Sequence, residues 1–285
     1  MATKNKNYSI GLDIGGTKIS GVLFDGEKII ADYTLATPRD SFNHFLIMLK
    51  AVIDPLLESA HKNKLKIGGA GLGIAGIISA SEGKILKSPN ISFLNNKQIA
   101  KELEKIIALP VKIDNDANCF TRAEAKIGAG AKFTNVYALT IGTGIGGGWW
   151  VNNKIYTGAH GAANEPGHLL IDCQEFIDLE KAYHKLMQNN PAQMAEEAYR
   201  GDRLAERVYE EFGRLFGVSL VNIINILDPE IIIIGGSVAE SSELFMNIVR
   251  KTVAEYSFSP VAKKIKIVNG KLGELAGAMG AAMLV

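Results

Sequence analysis

Leu12-Asp13-Ile14-Gly15-Gly16-Thr17 and Leu139-Thr140-Ile141-Gly142-Thr143-Gly144 can be laid over one another. Each opens as an apolar run and breaks into glycines. Each is followed by a further apolar stretch, a polar hairpin and a Lys-Ile pair, Lys28-Ile29 in the first copy and Lys154-Ile155 in the second. A pattern repeated in this way reads as an internal duplication, two halves built on one plan. Around the first copy, strands are expected over about 8–14, 18–25 and 28–35, the last two joined by Asp25-Gly26, a strong hairpin signal. Phe42, Phe45, Leu46, Leu49, Val52, Ile53, Leu56, Leu57 and Ala60 recur at helical spacing and predict an amphipathic helix over 41–62, with a kink near Pro55. A glycine-rich buried strand over 67–75, a hairpin at Ser81-Glu82-Gly83, a helix over about 95–108 and a strand over 109–113 complete the order βββαβαβ.

The second half repeats the plan with additions. Helices are expected over 174–189 and 202–227, the latter with a wide apolar face ended by Asp228-Pro229. Ile231-Ile232-Ile233-Ile234 is unalternating and β-branched, as a parallel strand covered on both faces requires. A helix over about 239–256, a strand over 264–268 and a last helix from about 273 follow. That last stretch is so rich in Gly and Ala that it can approach a neighbour closely and cross back to the first half. The class is therefore α/β, a duplicated fold of two βββαβαβ-type domains around a cleft: residues 1–117 with about 272–285 in a smaller domain, 118–271 in a larger one.

Chemistry gathers where strands break. In Asp13-Ile14-Gly15-Gly16-Thr17-Lys18 paired glycines let backbone N–H groups approach an anion, and Thr17 and Lys18 add a hydroxyl and a charge. The glycine spacing is not that of a Walker loop, and a strand follows rather than a helix; a plain glycine hairpin is the alternative. If the halves face each other, this turn and Gly142-Thr143-Gly144-Ile145-Gly146 line opposite walls and can hold one phosphate chain from both sides. Residues 142, 144 and 147 also satisfy GxGxxG, but a dinucleotide site needs a helix opening at the glycines. Gly235-Gly236-Ser237 is a strand-to-helix turn where exposed backbone can approach a nucleotide. Asp114-Asn115-Asp116-Ala117-Asn118 falls at the end of a strand, where open α/β sheets carry ligand groups. There Asp116 is a candidate general base and the amides can orient a hydroxyl, although Asx residues also favour ordinary turns. Glu165-Pro166-Gly167-His168 sets a carboxylate and an imidazole three positions apart, a pair able to serve adjacent sugar hydroxyls. Glu180 lies on a helix face that can point back at them.

Composition sets the bounds. The chain has 285 residues, 47% hydrophobic and 21% charged, with a formal charge of +1, which argues against an electrostatic nucleic-acid binder. Residues 1–7 are a polar lead-in, and no apolar stretch reaches eighteen residues, so a cytoplasmic protein without membrane contact is expected. Two cysteines, Cys119 and Cys173, are too few for a disulfide framework or a cysteine-rich metal site.

Taken together the motifs resemble the ROK family of sugar kinases, within the actin-like, hexokinase-type fold, over almost the whole chain. The resemblance rests on the phosphate motif at 13–18, the NDAN turn at 115–118, the second phosphate motif at 142–147, Glu165-Pro166-Gly167-His168 in the position of the family's EIGH segment, and the nucleotide turn at Gly235-Gly236. It implies Asp116 as base, with Asn90, Asn115, Glu165 and His168 on the sugar and Glu180 beside them. It also implies ATP as phosphoryl donor with Mg²⁺ oriented by Asp13, a hexose such as glucose as acceptor, and a homodimer. Most members continue after the histidine into a CxCGxxGC zinc cluster; residues 171–178 are shorter and hold one cysteine, so no structural zinc is expected. Zinc-free relatives include polyphosphate-using glucokinases, which leaves the donor open. Family repressors carry a DNA-binding domain ahead of the kinase fold, whereas this chain begins its first strand near Tyr8, so an enzyme is expected.

Overall fold

Apolar runs separated by glycine and Asx turns fold into two five-stranded sheets in a computed structural model describing residues 8–188 and 190–285. The polar lead-in and residue 189 lie outside the described residues. The first half contains β1 (Tyr8–Ile14), β2 (Lys18–Phe24), β3 (Ile29–Ala36), α1 (Phe42–Lys62), β4 (Ile67–Ile74), the hairpin β5 (Ile77–Ser79) and β6 (Lys84–Lys87), α2 (Ile99–Ile107), β7 (Val111–Asn115) and α3 (Asp116–Ile127). The second contains β8 (Asn135–Ile141), β9 (Ile145–Val151), β10 (Lys154–Ile155), β11 (Leu170–Asp172), β12 (Ile177–Asp178), α4 (Leu179–Leu186), α5 (Pro191–Tyr199), α6 (Arg203–Leu227), β13 (Ile231–Gly235), α7 (Met246–Tyr256), β14 (Lys266–Asn269) and α8 (Ala276–Ala282).

The sheets correspond strand for strand. The order β3-β2-β1-β4-β7 in one matches β10-β9-β8-β13-β14 in the other. In both, the first three strands are antiparallel neighbours and the last two join in parallel. Local chemistry explains the ends. Ser41 caps α1 by accepting from His44 N, Asp202 caps α6, and Asn152 and Asn153 take φ of 52° and 61°, the left-handed pair that a two-residue hairpin between β9 and β10 needs. All five residues of β13 are buried, as its unbroken isoleucine run requires. Phe45, Leu49, Val52, Ile53 and Leu56 of α1 are buried on the first sheet, each stabilising by about 1.5–3 kcal/mol relative to exposure.

Four stretches differ from expectation, the first being α3, since only a turn was expected after the strand at 109–113. The expected helix over 174–189 is not formed over the described residues 174–188: β11 and β12 make a small hairpin and α4 starts only at Leu179. Asp172 Oδ1 accepts from Gln174 N and Glu175 N, and Phe176 has φ of 51°, so a side-chain turn replaces the helical start. The expected helix over 239–256 opens as kinked 3₁₀ turns over Ser237–Leu244, non-helical at Ser241, before α7. Helix α5 was not expected, although Asn190, which accepts from Gln193 N, followed by Pro191 is a helix-start signal.

The last helix of each half packs on the other half's sheet. Helix α3 lies against β8 and β9, α8 lies against β1, β2 and β4, and the two helices cross each other. The contacts of α8 with β1, β4 and α3 are backbone on backbone. A Cβ built on Gly11 would fall 1.9 Å from the Ala278 carbonyl oxygen, on Gly71 1.8 Å from that of Ala281, and on Gly280 1.7 Å from that of Cys119. No side chain fits at these positions.

Candidate active site

Strand β7 ends at Asn115 and α3 begins at Asp116, and the side chains around this joint are held by hydrogen bonds. Asn115 Oδ1 accepts from Asn118 N at 3.1 Å as the helix cap, while its Nδ2 donates to the Gly76 carbonyl at 3.1 Å. Buried Asp114 accepts from Asn115 N at 2.8 Å and from Asn118 Nδ2 at 2.9 Å, and pairs with Arg122. Asp116 is left with its half-buried carboxyl at the first position of α3, lining a cleft of about 470 Å³. Burial pushes that carboxyl upward and Asp114 adds to the shift, while the first backbone N–H groups of α3 oppose it.

Asp13, at the end of β1, lines the same cleft. Its carboxyl is pushed up to about 7, by burial first and then by the charge of Asp116, with Lys18 opposing. Gly277 of α8 gives Asp13 its room: a Cβ there would stand 2.6 Å from Asp13 Oδ2. Lys18 also lines the cleft but pairs with Glu274, at 2.7 Å, rather than with Asp13. The cleft walls come from both halves, with Thr140, Gly235, Gly236, Ser237, Glu240 and Asn269 contributed by the second.

Both glycine turns are braced from behind. Gly15 N donates to the Lys18 carbonyl at 3.0 Å, Thr37 Oγ1 donates to the Gly15 carbonyl at 2.8 Å, and Arg39 Nη2 donates to the Gly16 carbonyl at 3.0 Å. Thr17 and Lys18 are exposed. In the second turn Gly142 N donates to the Gly144 carbonyl at 2.9 Å, and the Gly142 carbonyl accepts from Tyr183 OH at 2.7 Å. Glu180 Oε2 accepts from Ile145 N at 2.6 Å, so its carboxylate reaches the glycine turn as well as the neighbourhood of Glu165. Gly236 has φ of 84°, and a Cβ on it would fall 2.3 Å from the Ile141 carbonyl oxygen, so the turn can be made only by glycine.

The remaining expected residues stand outside the lining of that cleft: Asn90, Asn115, Glu165, His168, Glu180, Thr17, Gly15, Gly16 and the turn Gly142, Thr143, Gly144, Gly146. Asn90 is exposed against Gly16, with its Cβ 3.4 Å from where a Cβ on that glycine would be. Glu165 and His168 are exposed on the 165–168 segment. The Glu165 carboxyl is raised, by burial first, with Asp116 and Glu180 adding to the shift and His168 opposing it, so these four groups share one electrostatic neighbourhood. Reading from sequence missed Thr140, Glu240, Asn269 and Glu274 as lining residues. Two of these carried a signal: Thr140 overlies Asp13 in the repeat, and Asn269 ends β14 as Asn115 ends β7. Cys119 is buried and Cys173 exposed, and among the described residues no three His, Cys, Asp or Glu side chains group closely enough to hold a metal. No helix among the described residues is long and apolar enough to cross a membrane.

The model of the ROK family matches residues 9–285. The chain belongs to the ROK family. This ROK protein is 32% identical to an N-acetyl-D-glucosamine kinase from Mannheimia succiniciproducens, over 96% of this chain and 98% of the relative. It is 27% identical to a xylose repressor of Caldicellulosiruptor bescii, over 100% of this chain and 79% of that one. Among solved structures it superposes on a ROK family glucokinase from Streptomyces griseus in complex with glucose and AMPPNP, with a TM-score of 0.82 and 25% identity over 98% and 99% of the two chains. The duplicated α/β fold of this ROK protein is accordingly the actin-like one.

Proposed function

We propose that this ROK protein is a kinase that transfers the terminal phosphoryl group of ATP to the primary hydroxyl of a hexose, glucose first among candidates. One observation carries the reading: Asp116 presents its carboxyl at the first position of α3, in a cleft that also holds Asp13, Lys18 and the turn Gly235-Gly236. The kinases of glucose and of N-acetylglucosamine among its relatives support the class of acceptor.

In this reading Asp116 takes the hydroxyl proton as the oxygen attacks phosphorus; its raised pKa brings it nearer the working pH of a base. Asn90, Asn115, Glu165, His168 and Glu180 hold the sugar ring. Charge in a loose phosphoryl-transfer transition state spreads over the equatorial oxygens, so backbone N–H groups of Gly16 on one side, and of Thr143 and Gly144 on the other, stabilise it, with Gly15, Gly142 and Gly146 shaping the two turns and Gly235 and Gly236 against the nucleoside. Asp13 fits a magnesium site, because burial and Asp116 leave its charge uncompensated and Lys18 is engaged by Glu274. Magnesium carried with the nucleotide would be oriented there and would neutralise phosphate charge. The assembly is proposed to be a homodimer, and the domain boundaries near residues 117 and 272 to be the places where the halves hinge.

A coupled ADP-release assay over glucose, mannose, fructose and N-acetylhexosamines tests the reading, with polyphosphate as alternative donor. Turnover with one sugar and ATP is expected. Saturable sugar binding without any turnover would instead identify a sugar-responsive regulator, a reading supported by the match of this chain to 79% of a xylose repressor.

A further inference from the structure

The two oxygens of Asp178 have different partners. Oδ1 accepts from Lys181 N at 2.8 Å and caps α4. Oδ2 lies 3.6 Å from Nδ1 of His168 and 3.5 Å from Nζ of Lys181. The Asp178 side chain is only 12% exposed, against 65% for His168 and 70% for Lys181. Burial pushes its carboxyl up, but the capping N–H, Lys181 and His168 together outweigh that and hold it below the ordinary range, so it is ionised at neutral pH.

The approach of His168 to Asp178 is built into the backbone. β11 and β12 pair Leu170 with Asp178, and Leu179 N donates to the Leu169 carbonyl at 3.0 Å, which sets residue 168 beside the start of α4. One end of the pair is anchored by a helix cap and the other by a ladder. A neutral imidazole has one donor and one acceptor nitrogen, and a carboxylate facing Nδ1 favours the proton there. Nε2 is then an acceptor.

We propose that Asp178 is a positioning residue that fixes His168 in the Nδ1–H tautomer, so that Nε2 offers a lone pair to a sugar hydroxyl. The inference rests on the reading of His168 as a sugar contact. His168 and the Glu165 carboxylate then both accept, and the sugar hydroxyls facing them must both donate. Closing the 3.6 Å separation by a few tenths of an ångström completes the hydrogen bond.

Asp178→Asn separates this role from capping, since asparagine caps helices as well as aspartate does. Its carbonyl oxygen stays on Lys181 N and its amide donates toward Nδ1, which moves the proton to Nε2. In ¹⁵N spectra of the free protein at pH 8, with His168 assigned by its loss in His168→Asn, the wild type should show Nδ1–H and Asp178→Asn should show Nε2–H. The sugar KM should rise about tenfold, the lower end of what losing the carboxylate behind a metal-ligating histidine costs, with kcat within about a factor of two. In the His168→Asn background the same substitution should leave KM unchanged. Asp178→Ala, which removes the cap, should lower Tm where Asp178→Asn does not. A wild-type Nε2–H tautomer, an unchanged KM, or equal loss of Tm in the Asn and Ala variants would overturn the proposal. Absence of turnover in the wild type would count against the kinase reading alone, because the tautomer is read without sugar or nucleotide.

Discussion

Asp116 faces the cleft because the side chains beside it are held in place. Asp114 is tied to Arg122 and Asn118, and Asn115 to the helix start and to Gly76, which leaves one acid of the cluster facing the cleft. Asp116→Asn is expected to lower turnover by about two to four decades with sugar affinity retained; steady-state kinetics alongside calorimetric sugar binding check both halves of that statement. Asp13 makes a prediction of opposite sign for stability. Its folded-state pKa of about 7 stands above the ordinary 3.8 of an aspartate, so the folded protein holds this proton more tightly than the unfolded chain does. The stability it contributes is complete below about pH 4 and is lost as pH rises through about 7. In magnesium-free buffer Asp13→Asn should therefore be more stable than wild type at pH 8, by an amount on the order of a few kcal/mol, with the gap closing toward pH 4. Urea titrations at the two pH values read it, and equal stability at pH 8 would mean that the Asp13 charge is already compensated.

Elements whose form is set by their own residues were legible in the sequence: β1, α1 and α6 lie within a residue of expectation, and the isoleucine run of β13 announced a strand buried on both faces. Elements decided by side chains a few residues away were not. Asp172 bonds two following N–H groups and turns an expected helix into a hairpin, and Ser241 breaks another near Asn269, whose amide reaches Ser242. For the same reason the repeat exposed Asp13 and both glycine turns, while Glu240 and Glu274 needed coordinates: each is brought to the cleft by a one-off connection that no spacing encodes. The helix crossing belongs to this scale too. Gly280 touches the Cys119 carbonyl, so Gly280→Val should cost about 3 kcal/mol or more of stability, measured by chemical denaturation. A loss below 0.5 kcal/mol would mean that α3 and α8 can separate at little cost.

At the scale of the molecule, α3 and α8 make each sheet depend on a helix from the opposite half. The two halves should melt together, in one calorimetric transition whose van't Hoff and calorimetric enthalpies agree. Two resolved transitions would show that the sheets are stable without the borrowed helices. The same exchange has an evolutionary reading. One repeat alone would hold out its last helix and leave bare the sheet face on which its sister's helix lies, which is the geometry of a domain-swapped pair. An ancestral single-repeat polypeptide could thus have bound a second copy of itself by trading helices about a twofold axis. Fusion of two such genes would have made that trade permanent and freed the sequences on either side of the axis to diverge, one toward Asp13 and the other toward Thr140.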